Sequence, residues 1–175
     1  GNGLAITATG VTPEIVRVAF FNLGFCKLTA ITLYMLQFSK LSPMTTNREV
    51  FDQIAESWYR VRHWPRLRGE LEELVQRWQG GKLLNVGCAH GPDFLSFRQG
   101  FELWGVDSAP AMLKQALKYS AKFQFHVNLA VADALSLPFP NDSFDWAISV
   151  AAYHHIKEKD KRERAFMELK RVLKP

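Results

Sequence analysis

Leu83-Leu84-Asn85-Val86-Gly87-Cys88-Ala89-His90-Gly91-Pro92 is the stretch that decides the fold. An apolar run stops at a turn of small residues, and a helix opens at Gly91-Pro92. Gly87, Ala89 and Gly91 let the backbone approach a ligand closely, and Pro92 suits the first helical position. A second strand, Phe101 to Val106, ends in Asp107, about where a nucleotide ribose needs a carboxylate acceptor. A small-residue turn alone is weak evidence. Joined to a strand before it, a helix after it and an acid closing the next strand, it points to a nucleotide-type cofactor.

The pattern continues on both sides. Upstream, Thr46 or Asn47 can cap a helix that carries Val50, Phe51, Ile54, Ala55 and Trp58 on one face. Pro65 opens a second helix through Trp78, and Gln79-Gly80-Gly81 ends it. Downstream, the sequence predicts a helix from Ala109 to Tyr119, a strand from Phe123 to Ala130 and a prolyl loop, Leu137 to Asp142. A strand from Phe144 to Val150 and an amphipathic helix from Glu158 to Leu173 follow. Helices alternating with strands predict a parallel sheet covered on both faces.

The chain has 175 residues, 47% of them hydrophobic and 22% charged, with a net charge of +5. That suits one globular domain with a proper core. Counted from Met44 there are 19 basic and 16 acidic residues, so +3 belongs to the domain. This permits an RNA or phosphate partner without requiring one. Cys26 and Cys88 form no metal-type spacing, and a reduced, cytoplasmic protein is the simplest expectation.

Residues 1–43 differ from the rest. Ile15 to Phe38 is strongly apolar, but Arg17 and Lys27 divide it into runs shorter than the roughly 18 residues a membrane span needs. Three readings compete: a hydrophobic helix packed on the domain, a membrane anchor, or an extension upstream of a natural start at Met44. The last is preferred and the anchor is disfavoured, with the domain placed at 44–175.

The strand–turn–helix stretch, with Val131-Ala132-Asp133-Ala134-Leu135-Ser136-Leu137-Pro138-Phe139, Asp142 to Ser149 and Glu168 to Pro175, resembles the class I S-adenosylmethionine-dependent methyltransferases of the type 11 group. The resemblance implies an α/β fold, a Rossmann-like doubly wound parallel sheet. Because the family continues with further strands where this chain stops, the sheet is expected to be truncated after strand four and its helix, leaving that strand one unpaired side. The implied cofactor is S-adenosyl-L-methionine. Asp107 is expected to accept both ribose hydroxyls, Asp133 to bond the adenine amino group and Ala134 to offer its amide to the ring. Asn85, Gly87, Ala89, Gly91 and Ser149 complete the cofactor set. Asn85 stands where the family has an acid and Ala89 where it has glycine. His90 lies beside the cofactor or points to solvent, and Cys88 packs.

Phe51-Asp52-Gln53-Ile54-Ala55 and Arg62-His63-Trp64-Pro65-Arg66 resemble the N-terminal element of the tRNA wobble-uridine carboxymethyl methyltransferases. This implies that Arg62 and Arg66 grip a substrate carboxylate or RNA phosphates, and that a small activating protein is a candidate partner. The bland alternative makes Trp58, Trp64 and Trp78 core residues and leaves the arginines solvated. His154 and His155, after strand four, either position the acceptor, move a proton or bond backbone. A small-molecule methyltransferase and a non-catalytic binding domain stay open as rivals; DNA is not an expected partner.

Overall fold

The computed structural model describes residues 18–21 and 46–175. In chain order the elements are β1 (Val18–Phe21), α1 (Asn47–Val61), α2 (Arg68–Trp78), β2 (Gly81–Val86), α3 (Phe94–Phe97), β3 (Phe101–Asp107), α4 (Pro110–Phe123), β4 (Asn128–Val131), β5 (Trp146–Val150), a 3₁₀ turn (Tyr153–His155) and α5 (Lys159–Val172). All strands are parallel, in the order β1-β5-β2-β3-β4. The crossovers make this a Rossmann-like α/β sheet with helices on both faces, as the alternation of helix and strand implied.

Parallel strands buried on both sides read as continuous apolar runs; β2 is buried without a break from Leu83 to Val86, with Asn85 its one polar residue. Its side chains divide between two cores. Leu83 packs with Leu71, Trp78, Phe94, Phe97 and Leu103 beneath α2, α3 and α4. Leu84 and Val86 pack on the opposite face with Ala147 and with Ala165, Leu169 and Val172 of α5. Trp78 stacks on Trp146 at 4.7 Å and 7°, which closes the first core at the amino ends of the strands. A third cluster joins Ile54 and Ala55 of α1 to Ala109 and Met112 of α4.

Several boundaries differ from the sequence expectation for local reasons. Thr46 caps α1 through a full capping box with Glu49. The second helix starts at Arg68 instead of Pro65. The chain before it is committed to tertiary bonds, since the Arg62 and His63 carbonyls accept from His90 and Tyr119. Helix α4 runs on to Phe123, where Tyr119 and Phe123 meet one turn apart at 4.5 Å, and Gln124 ends it in the left-handed region. Strand β4 therefore begins only at Asn128. Phe144 precedes β5 and pairs with Leu173 instead.

The largest correction concerns the edge of the sheet. The side of β5 expected to be unpaired is taken by β1, in the register Val18 to Ala147 through Phe21 to Val150. An unpaired strand edge is a template for any extended segment within reach, so this pairing relieves a liability. The remainder of residues 1–43, including most of the proposed extension, lies outside the described residues. Alternate residues of a parallel strand direct their amides to one neighbour. Of Ala19→Pro and Phe20→Pro, one must therefore remove a ladder donor. That variant is expected to melt a few degrees below the other, as read by thermal unfolding; equal melting of both would speak against the β1–β5 pairing.

Candidate cofactor and acceptor site

The carboxyl ends of β2, β3, β4 and β5 converge on one edge of the sheet, and the cofactor residues singled out from sequence lie there or in the loops that follow, while Arg62 and Arg66 lie between α1 and α2. Asp107 is the junction. Its Oδ2 accepts from the Ala89 amide and its Oδ1 from the Ala109 amide, both at 2.9 Å. One carboxylate thus ties the small-residue turn after β2 to the residue at which α4 begins. Burial raises the Asp107 pKa and the two amides oppose the rise. An ionised carboxylate has about four acceptor sites, so two bonds leave capacity for a pair of hydroxyls.

The turn itself is held left-handed. Gly87 has φ +73°, and a Cβ there would come within 2.3 Å of the Ala152 Cβ. The segment after β5 therefore presses directly on the turn, and only glycine fits. Ala89 occupies the left-handed region at φ 48° with a side chain present. It keeps the geometry at a strain of roughly 1–2 kcal/mol. Asn85 is fully buried, and neither its amide nitrogen nor its carbonyl oxygen has a partner among the described residues. A buried orphaned amide is costly, which fits a site that keeps polar capacity for a ligand.

Asp133 is exposed, and its Oδ1 accepts from the Leu135 amide, so it forms a local turn while one oxygen faces outward. Ala134 lies inside that turn, which is closed by the Ser136 amide to the Asp133 carbonyl. Ser149 is buried and donates to the Val86 carbonyl at 3.0 Å, pinning β5 to the end of β2. Behind Ser149, His154 and His155 form the 3₁₀ turn with ring centroids 4.0 Å apart. The His155 ring meets Phe51 edge-on at 5.1 Å, and its carbonyl accepts from Asn47 Nδ2. Helix α1 thus seats its first turns on the histidine segment. Burial lowers both histidines, His155 to about 4 with help from its neighbour, so both are neutral near pH 7.

His90 does not point to solvent. Its ring is fully buried, edge-on to Tyr59 and Tyr119, with Nε2 2.5 Å from the Arg62 carbonyl. Desolvation holds it neutral, lowering its pKa to about 4. Arg62 is also drawn inward. Its Nε is buried without a partner and its guanidinium lies 5.9 Å from the Trp58 ring; burial lowers its pKa and the charge of Asp93 opposes that, with no ion pair between the two. Burial pushes the Asp93 carboxyl up to about 6, and the Arg62 cation opposes that rise. Cys88 is buried with a thiol pKa raised by desolvation, so it packs and is not nucleophilic.

Sequence reasoning missed three positioning contacts. Asp52 Oδ1 accepts from the Ala111 amide and helps seat the start of α4. Glu168 accepts from the Leu137 amide, while Arg171 donates to the Leu137 and Phe139 carbonyls, so α5 clamps the prolyl loop beside Asp133. The signal was the Glu168–Arg171 spacing of three on an otherwise solvated helix. Among the described residues no cluster of His, Cys, Asp and Glu could hold a metal ion.

A doubly wound sheet with a left-handed small-residue turn at one strand end and a carboxylate at the next defines a nucleotide-cofactor protein of the Rossmann-like class. Known proteins make the class specific. Residues 83–175 match the family described as "Methyltransferase domain", and the chain belongs to that family. It is 34% identical over 128 residues to the tRNA (carboxymethyluridine(34)-5-O)-methyltransferase of Arabidopsis thaliana, covering 72% of this chain and 29% of the relative. The Saccharomyces cerevisiae protein of the same name is 30% identical over 116 residues, 65% of this chain and 39% of the relative. The chain thus spans less than half the length of either. A solved phosphoethanolamine N-methyltransferase 2 from Haemonchus contortus, holding phosphomonomethylethanolamine and S-adenosylhomocysteine, aligns with TM-score 0.59 at 26% identity, over 77% of this chain and 35% of that one. The cofactor of this fold is S-adenosylmethionine, and Asp107, the Gly87 turn and the orphaned Asn85 amide fit it.

The inward placement of Arg62 is testable apart from catalysis. Arg62→Ala removes the cation that opposes the desolvation of the Asp93 carboxylate, so it is expected to lower stability in urea unfolding, and more at pH 8 than at pH 5. Adding Asp93→Asn is expected to recover much of that loss. A stable Arg62→Ala variant would show that the side chain answers no buried charge.

Proposed function

We propose that the chain is the core of an S-adenosylmethionine-dependent methyltransferase that methylates the carboxymethyl group of the wobble uridine in tRNA. The observation carrying this reading is the 34% and 30% identity to two relatives of that name, and the histidine pair after β5 agrees with it. Efficient general bases have pKa values near the working pH, and a phenol or carbon acid must lose its proton to react. A His155 ring held near 4 and a lowered His154 are poor bases for that task. A carboxylic acid acceptor loses its proton at about pH 4 in water, so it arrives already ionised and needs no base.

When bound, S-adenosylmethionine supplies an electrophilic sulfonium methyl group. The chain's own contribution is then geometric. Asp107 and the turn it anchors fix the ribose end, and the Glu168–Arg171 clamp holds the loop beside Asp133 for the adenine end. The histidine turn, seated under α1, forms the wall against which the acceptor aligns. Alignment of this kind is proximity catalysis, and it tolerates no misplacement of the acceptor oxygen. The names of the Arabidopsis and yeast relatives agree with the acceptor chosen here.

The test is methyl transfer to tRNA bearing carboxymethyluridine at the wobble position, followed by mass spectrometry of the nucleosides. The reading expects ester formation, a rate flat between about pH 6 and 8, and residual turnover in His154→Ala and His155→Ala. Loss of turnover in one histidine variant, together with a pH break at that histidine's pKa, would replace it by an acceptor that needs a base.

A further inference from the structure

Each of the other long helices has at least one cation answered by an acid of its own helix. Arg60 pairs with Glu56, Arg68 with Glu72 and Lys159 with Glu163. Helix α4 is the exception. From Ser108 to Ala132 the chain has no acid, and Lys114, Lys118 and Lys122 recur at every fourth residue on the exposed side of the helix. Like charges at that spacing repel one another, so the stripe costs the folded protein stability unless something answers it. The nearest acids on the packed helix α1 are engaged elsewhere: Asp52 holds the Ala111 amide beside Arg48, and Glu56 holds Arg60.

The fold adds to the stripe. The Tyr119 hydroxyl donates to the His63 carbonyl, which lays the arginine-rich segment after α1 along α4. Trp64 ends up 61% exposed, edge-on to Phe123 at 5.7 Å, and Lys122 Nζ lies 5.3 Å from the same Phe123 ring. Beside them a shallow cavity of about 280 Å³ is lined by Arg98, Gln99, Phe123 and Gln124. Arg66, Arg98 and the three lysines are exposed, and none forms an ion pair among the described residues. Leu117, 57% exposed, lies within the stripe.

We propose that this face of α4, with Arg66, Arg98 and the exposed Trp64, is a docking surface for an RNA phosphodiester backbone. It rests on the tRNA reading above and assigns the body of that substrate a track on the protein. Two features select RNA over other anions. An exposed indole next to unpaired cations can stack a base while the cations meet phosphates, a combination suited to nucleic acid. The track also has length. At 1.5 Å per residue, α4 runs roughly 20 Å from its start beside Asp107 to Phe123, so a polymer can hold its reacting nucleotide at the strand ends and its backbone along the lysines. A small metabolite cannot use both.

The experiment compares the full chain with a Lys114→Gln/Lys118→Gln/Lys122→Gln variant and with Trp64→Ala. Glutamine keeps helix propensity and removes only charge. The measurements are tRNA affinity by fluorescence anisotropy across a salt series, methylation of the wobble-carboxymethylated tRNA, and methylation of the free carboxymethyluridine nucleoside. The triple variant is expected to bind tRNA tenfold or more weakly and to lose up to about 2 from the slope of log affinity on log salt. Trp64→Ala is expected to weaken binding with the slope unchanged. Nucleoside turnover should be the same in all three proteins. Unchanged tRNA affinity in a triple variant that still methylates tRNA would overturn the docking surface and leave the tRNA reading intact. Absence of tRNA methylation by the unaltered chain would overturn the reading itself. If the lysines matter for phosphatidylserine vesicles but not for tRNA, the surface belongs to membranes and the proposal fails.

Discussion

The Asp107 carboxylate is the constraint on which the site depends. It ends β3 and receives one amide from the turn after β2 and one from the start of α4. Three elements that would otherwise end independently are fixed to one group about the size of a ligand's own hydroxyl pair. The cost is a partly desolvated charge, which the two amides offset. Everything else at the strand ends is arranged around this point. Gly87 leaves room for Ala152, Ser149 locks β5 to Val86, and α5 holds the prolyl loop through Arg171.

A second layer of buried polar groups connects this edge to the segment after α1. His90 lies within the turn yet faces the Arg62 carbonyl, and Arg62 in turn faces Asp93 from the same turn-to-helix stretch. The aromatic rings of Tyr59 and Tyr119 enclose the pair. Such clusters are expensive unless satisfied, and Nδ1 of His90 and Nε of Arg62 find no partner here. The α1–α2 connection is thereby tied to the turn after β2 through the His90 ring. The arginine-rich segment is therefore at once a prop for the turn, through Arg62, and an outer surface, through Arg66 and Trp64.

The architecture was legible because its signals are local. Small residues between an apolar strand and a helix, and an acid at the end of the next strand, each follow from backbone geometry, and β2, β3, α4 and β5 lie close to where the patterns placed them. Orientation was less legible. Arg62 and His90 stand out in sequence by type, but how far each is drawn inward is set by α1 packing on α4, which leaves no periodic trace. The tryptophans likewise divide in space: Trp78 is stacked in the core, while Trp64 stays outside. The pairing of Val18–Phe21 with β5 was unreadable for a related reason, since an apolar run long enough for several fates does not name its neighbour.

The claim that Asp107 organises a cofactor site at the strand ends is tested most directly by calorimetric titration with S-adenosylhomocysteine. The folded chain should bind it, and an Asp107→Ala variant with an unchanged circular dichroism spectrum should bind with a loss of roughly 1.5–3 kcal/mol. Equal affinity in the two proteins would contradict the account.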